Sequence, residues 1–188
     1  FADVLSRLKA MDGVLSVLGN HDYCVYRRYV SKKEAIEELE RVKAMERKLG
    51  WNLLVNENHV IHRGSDSLAV IGVENAGAPP FKDYSDLQGA LRGVENSSFS
   101  ILLSHDPTHW RREVLGKTKI DLMLAGHTHA AQFKVGSFSP SKWTYSEWGG
   151  PYKEKGKFLN VSLGIGGSVP FRIGAWPEID VIVLKRQE

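Results

Sequence analysis

The stretch "DLMLAGHTHAAQF", residues 121–133, runs from an apolar segment directly into two histidines, His127 and His129. The apolar segment is typical of a buried strand, and Gly126 allows a tight backbone turn where that strand is expected to end. An isolated H-x-H pair is more often structural than metal-ligating. Whether these histidines bind metal therefore depends on what the rest of the chain brings to them.

Two other apolar segments end in the same way. "VLSVL" (14–18) is followed by Asn20-His21-Asp22, and "FSILL" (99–103) is followed by His105. In α/β sheets, ligands bind in the crevice beyond the carboxyl ends of the strands. We therefore expect the three polar clusters to converge in space, and three histidine-bearing strand ends favour a metal site over structural histidines.

The Asn20-His21-Asp22 cluster adds oxygen ligands to the imidazoles. An Asn oxygen suits a mixed N/O site for manganese, iron, zinc or magnesium. Asp22 could orient His21 by accepting a hydrogen bond from its second ring N–H, which would fix the tautomer. The alternative is a plain turn, because Gly, Asn and Asp are all frequent turn residues.

Length and composition indicate one soluble-type globular domain. The chain has 188 residues, 42% of them hydrophobic and 25% charged, which is ordinary for a folded domain. The formal net charge of +3 comes without a dense basic run, so we expect no specific nucleic-acid partner. A single cysteine, Cys24, excludes an intramolecular disulfide and a cysteine zinc cluster. This does not assign the protein to a cellular compartment, because secreted and periplasmic proteins can also lack disulfides.

Hydrophobic periodicity predicts alternating helices and strands. Ser31 and Glu34 form a capping box at the start of a long amphipathic helix that Gly50 ends. The pattern also predicts a helix over 3–11, strands near 14–18, 58–63, 67–73, 99–107 and 121–129, a short helix over 86–92, a loop over 136–156, and two closing strands within 157–167 and 178–186.

The motifs, taken in order, resemble one family. "GNHD" (19–22), "LLSHDP" (102–107) and "GHTH" (126–129) resemble those of the calcineurin-like metallophosphoesterases. The segments "VIGVEN", "LAGHTHAAQF" and "PFRIGAWPEIDVIVLKR" look like a bacterial, membrane-associated phosphodiesterase branch of it. The resemblance implies a mixed α/β (α+β) fold, a four-layer β-sandwich flanked by helices, with residues 1–188 forming one such domain.

The resemblance also implies a function and a role for each motif residue. The enzyme would be a metal-dependent phosphoesterase whose two divalent ions, manganese, iron or zinc, activate hydroxide. Asn20, His105 and His127 would hold one ion, and His129 would hold the other. The same resemblance makes His21 the general acid for the leaving group, with Asp22 as its orienting partner.

Two motifs of the family are missing from the segment before Gly19. The family pattern begins with D-x-H and then G-D, which supply most ligands of one ion and the bridging carboxylate, and residues 1–18 contain neither. We therefore expect an N-terminally incomplete domain, lacking its N-terminal strands, with weakened metal affinity and impaired hydrolysis as a separate chain. The alternative is a non-catalytic metal-binding or protein-interaction module that retains a relic site.

Partners follow from the same reasoning. The expected substrate is a phosphate ester, which could be lipid-like or nucleotide-like, and the sequence does not distinguish a monoester from a diester. We expect membrane association, if any, through the missing N-terminus. An unpaired sheet edge left by missing strands would also favour a dimer.

Overall fold

A six-stranded mixed sheet is the main feature of the computed structural model, which describes residues 2–24, 31–79 and 81–185. Its spatial order is β3-β4-β5-β6-β8-β7. The four inner strands run parallel, and the two edge strands, β3 and β7, pair antiparallel with their neighbours. The strands are β3 (Glu57–Arg63), β4 (Asp66–Gly72), β5 (Phe99–Leu103), β6 (Leu122–Ala125), β7 (Gly150–Glu154) and β8 (Lys157–Val161).

The inner strands carry the apolar core, because a parallel sheet in an α/β protein is covered on both faces. Ile71, Leu102, Met123 and Leu159, one from each inner strand, are at most 1% exposed. Trp110, also 1% exposed, packs in the same cluster from the connection between β5 and β6. This core fixes the strand ends from which the histidine loops emerge.

A second, two-stranded parallel sheet joins β1 (Leu15–Ser16) to β2 (Asn52–Leu53). The helix α2 (Lys32–Lys48) connects these strands and begins at the predicted capping box, in which Ser31 and Glu34 exchange side-chain and backbone hydrogen bonds. The shorter helices are α1 (Ala2–Leu5) and α3 (Leu87–Ala90), with single 3₁₀ or π turns at Asn20–Tyr23, Trp110–Val114, His129–Gln132 and Pro140–Trp143.

Three predicted elements differ from the structure. The helix expected over 3–11 ends at Leu5, and its apolar residues Val4 and Leu8 are more than half exposed, so no core surface holds the further turns. The stretch expected to be loop over 136–156 contains β7, which adds to the edge of the sheet. The sequence there is rich in Gly, Pro and Ser, which are typical of loops, so its pattern does not predict the strand.

The closing strand predicted over 178–186 is also wrong for the described part, residues 178–185. These residues form no strand, and Ile179, Val181 and Val183 are 71–87% exposed. An apolar strand pattern becomes a strand only when a neighbouring strand supplies hydrogen-bond partners. None of the described segments lies beside this stretch as a strand partner.

The mixed α/β class is confirmed. Of the expected β-sandwich, the described residues form one full sheet and the two-stranded β1–β2 sheet. The predicted dimer stays a prediction, although β3 and β7 do present unpaired edges among the described strands. In the part of the chain that the structure describes, no helix has the length and apolar character needed to cross a membrane.

Candidate metal centre

Two neighbouring parallel strands place His105 and His127 side by side. Strand β5 ends at Leu103 and β6 at Ala125, and each histidine follows its strand end by two residues. The backbone of Gly126 donates to the carbonyl of His105, which ties the two loops together. The expected convergence beyond the carboxyl ends of the strands is therefore present for these two histidines.

Asn20 joins them from the loop after β1. Its Oδ1 lies 2.9 Å from His105 Nε2 and 3.0 Å from His127 Nδ1, and the two ring nitrogens are 3.2 Å apart. Three potential ligand atoms therefore form a nearly equilateral triangle. We call Asn20, His105 and His127 the ligand triangle.

The ligand triangle fits a divalent cation. Adjacent ligands of an octahedral ion with bonds of about 2.1 Å lie about 3.0 Å apart, close to the three edges seen here. Without a cation, two rings that both present N–H groups to the amide oxygen would bring like partial charges together. One amide oxygen and two imidazoles are a donor set suited to manganese, iron or zinc.

Burial keeps the histidines of the triangle neutral. The pKa of His105 is lowered to about 3, mainly by removal of the ring from water and also by the neighbouring His127. Burial also lowers the pKa of His127, against the opposing charge of Asp106. Since only the neutral ring can bind a metal ion, both side chains are available as ligands at neutral pH.

His129, expected to hold a second ion, lies close to the triangle. Partial burial is the main cause that lowers its pKa, and Arg172, His127 and His21 lower it further. His129 begins the 3₁₀ turn after β6 with a positive φ of 48°. In the described residues, no three His, Cys, Asp or Glu side chains are grouped so as to hold a metal ion, and the triangle itself combines two histidines with an asparagine.

His21 and Asp22 lie on the 3₁₀ turn that also carries Asn20. The Asp22 carboxylate accepts a hydrogen bond from the Gly19 backbone at 2.7 Å, so it caps this turn. Burial raises the pKa of Asp22, while the Gly19 N–H and the charge of His21 oppose that rise. His21 is exposed and its charge acts on all three other histidines of the site.

Sequence reasoning left three neighbours of His127 without a role. The hydroxyl of Tyr145 lies 2.8 Å from His127 Nε2, the carboxylate of Asp106 lies 4.0 Å from the same atom, and the Phe81 ring meets the imidazole edge-on at 5.1 Å. Tyr145 belongs to a sequence segment rich in aromatic residues, which is a weak signal for a pocket lining or for a loop anchored on the core. The pairing with His127 could not be deduced from spacing.

One expectation about Gly126 is wrong. A Cβ at this position would meet nothing closer than the Ser162 carbonyl oxygen at 3.9 Å, and Gly126 is not among the positive-φ residues. The positive φ values occur instead at His127 and in the run from His129 to Gln132. The tight geometry after β6 is thus adopted by residues that carry side chains.

A sequence model of the calcineurin-like phosphoesterase family matches residues 1–131. The chain belongs to this family. Family members act on phosphate esters and generally use two divalent metal ions. This calcineurin-like chain carries Asn20, His105 and His127, the ligand triangle, within the matched residues.

Relatives of this calcineurin-like chain are found across bacteria and vertebrates. An uncharacterized metallophosphoesterase of Aquifex aeolicus is 27% identical over 188 residues, covering 98% of this chain and 65% of the relative. An uncharacterized metallophosphoesterase of Helicobacter pylori strain J99 is 32% identical, covering 93% and 43%. A transmembrane protein with metallophosphoesterase domain from Bos taurus is 27% identical, covering 96% and 40%. The chain thus spans less than two thirds of the length of these relatives.

Among solved structures, the NAD nucleotidase of Haemophilus influenzae is similar, with a TM-score of 0.46 and 16% identity over 79% of this chain and 30% of that chain.

Proposed function

We propose that this chain carries the core of a metal-dependent phosphoesterase site in which the ligand triangle holds one divalent ion. The convergence of Asn20 Oδ1, His105 Nε2 and His127 Nδ1 within 3.2 Å carries the proposal. Divalent ions bound here and beside His129 would activate water and neutralise charge on the phosphoryl oxygens. The substrate class is a phosphate ester, as for the rest of the family.

The chain's own residues bind the metal ion, position the general acid and supply a proton to the leaving group. His105 and His127 stay neutral at working pH because they are buried, and so remain ligands. His21 is exposed on the turn that also carries Asn20, and in this proposal it reaches the leaving oxygen of a bound ester and gives it a proton. Asp22 holds the turn that presents His21 through its bond to the Gly19 backbone.

The two ions are held unequally by the described residues. The triangle offers three ligands to one ion, whereas His129 is the one described residue that the family resemblance assigns to the other. A single imidazole binds a divalent ion weakly. We therefore propose that this 188-residue chain by itself binds one ion, more tightly at the triangle than beside His129, and hydrolyses phosphate esters slowly.

Metal titration of two ligand variants tests the triangle. We expect the wild-type chain to bind one equivalent of Mn²⁺ by calorimetry. Asn20→Ala and His127→Ala should weaken this binding by more than the roughly 10–100-fold that follows loss of an outer-shell partner. The matched control is His62→Ala on β3, an exposed histidine, which should bind Mn²⁺ like the wild type.

Hydrolysis is measured in parallel, with a chromogenic phosphomonoester and a chromogenic phosphodiester and with Mn²⁺ present. His21→Ala should lower the rate while leaving Mn²⁺ affinity nearly unchanged, because His21 acts on the leaving group. Equal Mn²⁺ affinity in the wild type and in Asn20→Ala would show that the triangle is not the metal site, and the proposal would fail.

A further inference from the structure

The outer nitrogen of His127 meets a tyrosine hydroxyl. His127 Nδ1 belongs to the ligand triangle, while Nε2, on the opposite side of the ring, lies 2.8 Å from the hydroxyl of Tyr145. The His127 side chain is only 6% exposed, so water does not readily replace this partner. Every polar atom of a buried ring needs a partner, because an unpaired one costs free energy.

We propose that Tyr145 is a positioning residue that fixes the metal-binding tautomer of His127; this inference rests on the proposed metal site. A neutral imidazole that binds a cation through Nδ1 carries its single proton on Nε2. That N–H must donate to an acceptor, and the Tyr145 oxygen lies at hydrogen-bond distance to accept it. The bond leaves the Nδ1 lone pair directed at the triangle.

A competing acceptor is the Asp106 carboxylate. Its Oδ2 is 4.0 Å from His127 Nε2, which exceeds a hydrogen-bond distance. Its oxygens already accept from other groups: Oδ1 from the backbone and hydroxyl of Thr108, and Oδ2 from the backbone of Ala78 at 3.4 Å. Asp106 acts on His127 by its charge, and Tyr145 supplies the direct bond.

The loop that carries Tyr145 is anchored to the histidine turn at two points. The buried Ser139 hydroxyl donates to the carbonyl of Ala130 at 2.7 Å, and the Thr128 hydroxyl donates to the carbonyl of Trp148 at 2.6 Å. Thr128 and Ala130 flank His129 on the turn itself. Tyr145 therefore keeps a fixed position relative to His127, as an outer-shell partner must in order to fix a ring orientation.

A hydroxyl can donate or accept a hydrogen bond, so it can pair with Nε2 in either tautomer. An ionised carboxylate can only accept, so it pairs with one tautomer. Without a cation, the tautomer of His127 protonated on Nδ1 would donate to Asn20 Oδ1, 3.0 Å away, and the Tyr145 hydroxyl would donate to Nε2. With a cation held by Nδ1, the single ring proton would lie on Nε2, exchanged through water, and the Tyr145 hydroxyl would accept it. The ring is neutral in both states, so this exchange releases no net proton.

The test uses the 188-residue chain with Tyr145→Phe, which removes one oxygen and keeps the ring. We expect Zn²⁺ and Mn²⁺ affinities to fall by roughly 10–100-fold, the usual effect of losing an outer-shell partner. The second readout is NMR of the Zn²⁺-loaded protein, labelled with ¹⁵N histidine. The wild type should show a slowly exchanging, downfield Nε2–H signal of His127 that Tyr145→Phe lacks.

Tyr152→Phe is the matched control, because Tyr152 contributes its hydroxyl to the same loop but accepts from the backbone of Trp148. It should leave metal affinity and the His127 signal unchanged. Thermal melting without metal reports whether each variant folds. If Tyr145→Phe melts like the wild type yet keeps full affinity and the Nε2–H signal, the inference is overturned.

The two proposals fail in different ways. If the wild type binds no metal, the proposed function is wrong, and the inference about Tyr145 fails with it. If the wild type binds metal and Tyr145→Phe binds it equally well, the metal site stands and the role of Tyr145 is wrong. If Asp106→Asn removes the Nε2–H signal and Tyr145→Phe does not, the carboxylate is the acceptor, which also overturns the inference.

Discussion

Gly19 lies directly against the ring of His105. A Cβ built on Gly19 would lie 2.9 Å from both Cε1 and Nδ1 of that ring, closer than real contacts allow. The backbone is extended, with φ −106° and ψ 177°, so alanine meets no backbone strain there. The glycine is required by the space that the histidine needs and not by its own conformation.

Gly19→Ala should therefore move the His105 ring and weaken metal binding. We expect the Mn²⁺ dissociation constant to rise by about 10–100-fold, since ligand orientation controls affinity, with about 1–3 kcal/mol lost in stability from overpacking. The control is Gly126→Ala beside the same site, whose added Cβ makes only an ordinary contact, 3.9 Å from the Ser162 carbonyl oxygen. Calorimetric titration of both variants decides; a Gly19→Ala chain with wild-type affinity would show that the ring tolerates the contact.

Left-handed backbone at ordinary residues marks the turn after β6. Ala130 and Ala131 have φ of 51° and 49°, a region that costs about 1–2 kcal/mol for a residue with a Cβ. The bond from Ser139 to the Ala130 carbonyl and the bonds from Gln132 to the 168–171 segment hold this turn. Because alanine resists positive φ, these contacts offset the conformational cost of the turn.

A buried carboxylate on helix α2 makes a hydrogen bond to strand β1. Glu46, near the end of α2 and 9% exposed, accepts a hydrogen bond from the Ser16 hydroxyl at 2.5 Å. Burial raises the pKa of Glu46 above its ordinary value of 4.5, and the nearby charge of Asp22 raises it further, although Ser16 opposes the rise. The ionised carboxylate is thus less stable here than in water.

The sign of the pH effect follows from that raised pKa. The protonated Glu46 contributes stability that is fully present below pH 4.5 and is lost as the pH rises through the higher folded-state value. Glu46→Gln, which stays neutral, should equal the wild type in stability at low pH and exceed it at pH 7. A gain of about 1 kcal/mol would raise Tm by about 2–4 °C.

Melting curves of Glu46→Gln across pH 4 to 8 check this. Glu40→Gln is the control on the same helix, because Glu40 is 60% exposed and pairs with Lys43 at the surface. It should show no pH-dependent gain. A Glu46→Gln chain that is less stable than the wild type at pH 7 would mean that the Ser16 bond outweighs the burial of the charge.

Elements with a strong local sequence signal were predictable from the sequence. The α2 capping box and the apolar strands β4, β5 and β6 carry their own signals, and all four occur where expected. The segment 178–185 has an equally clear strand pattern but forms no strand, because a strand needs a partner that its own sequence does not specify. The ligand triangle could be expected because its residues stand in the three motifs that carry the family resemblance. No motif or spacing predicts Tyr145 beside His127.

Across the whole molecule, the triangle joins parts that are far apart in the chain. His105 and His127 lie 85 and 107 residues from Asn20, and they follow strands of the six-stranded sheet, whereas Asn20 follows β1 of the two-stranded sheet. A bound ion would therefore link both sheets. Since the unfolded chain cannot bring these residues together, metal binding should stabilise the folded state against global unfolding.

The stabilisation by bound metal depends on the ratio of its concentration to its dissociation constant. Mn²⁺ at 100 times its dissociation constant should add about 2.7 kcal/mol, which for a domain of this size raises Tm by about 5–10 °C. Excess chelator should reverse the rise. Asn20→Ala should melt at nearly the same temperature with and without Mn²⁺, because the link between the two sheets passes through its side chain. An equal rise in the wild type and in Asn20→Ala would place the stabilising ion elsewhere on the molecule.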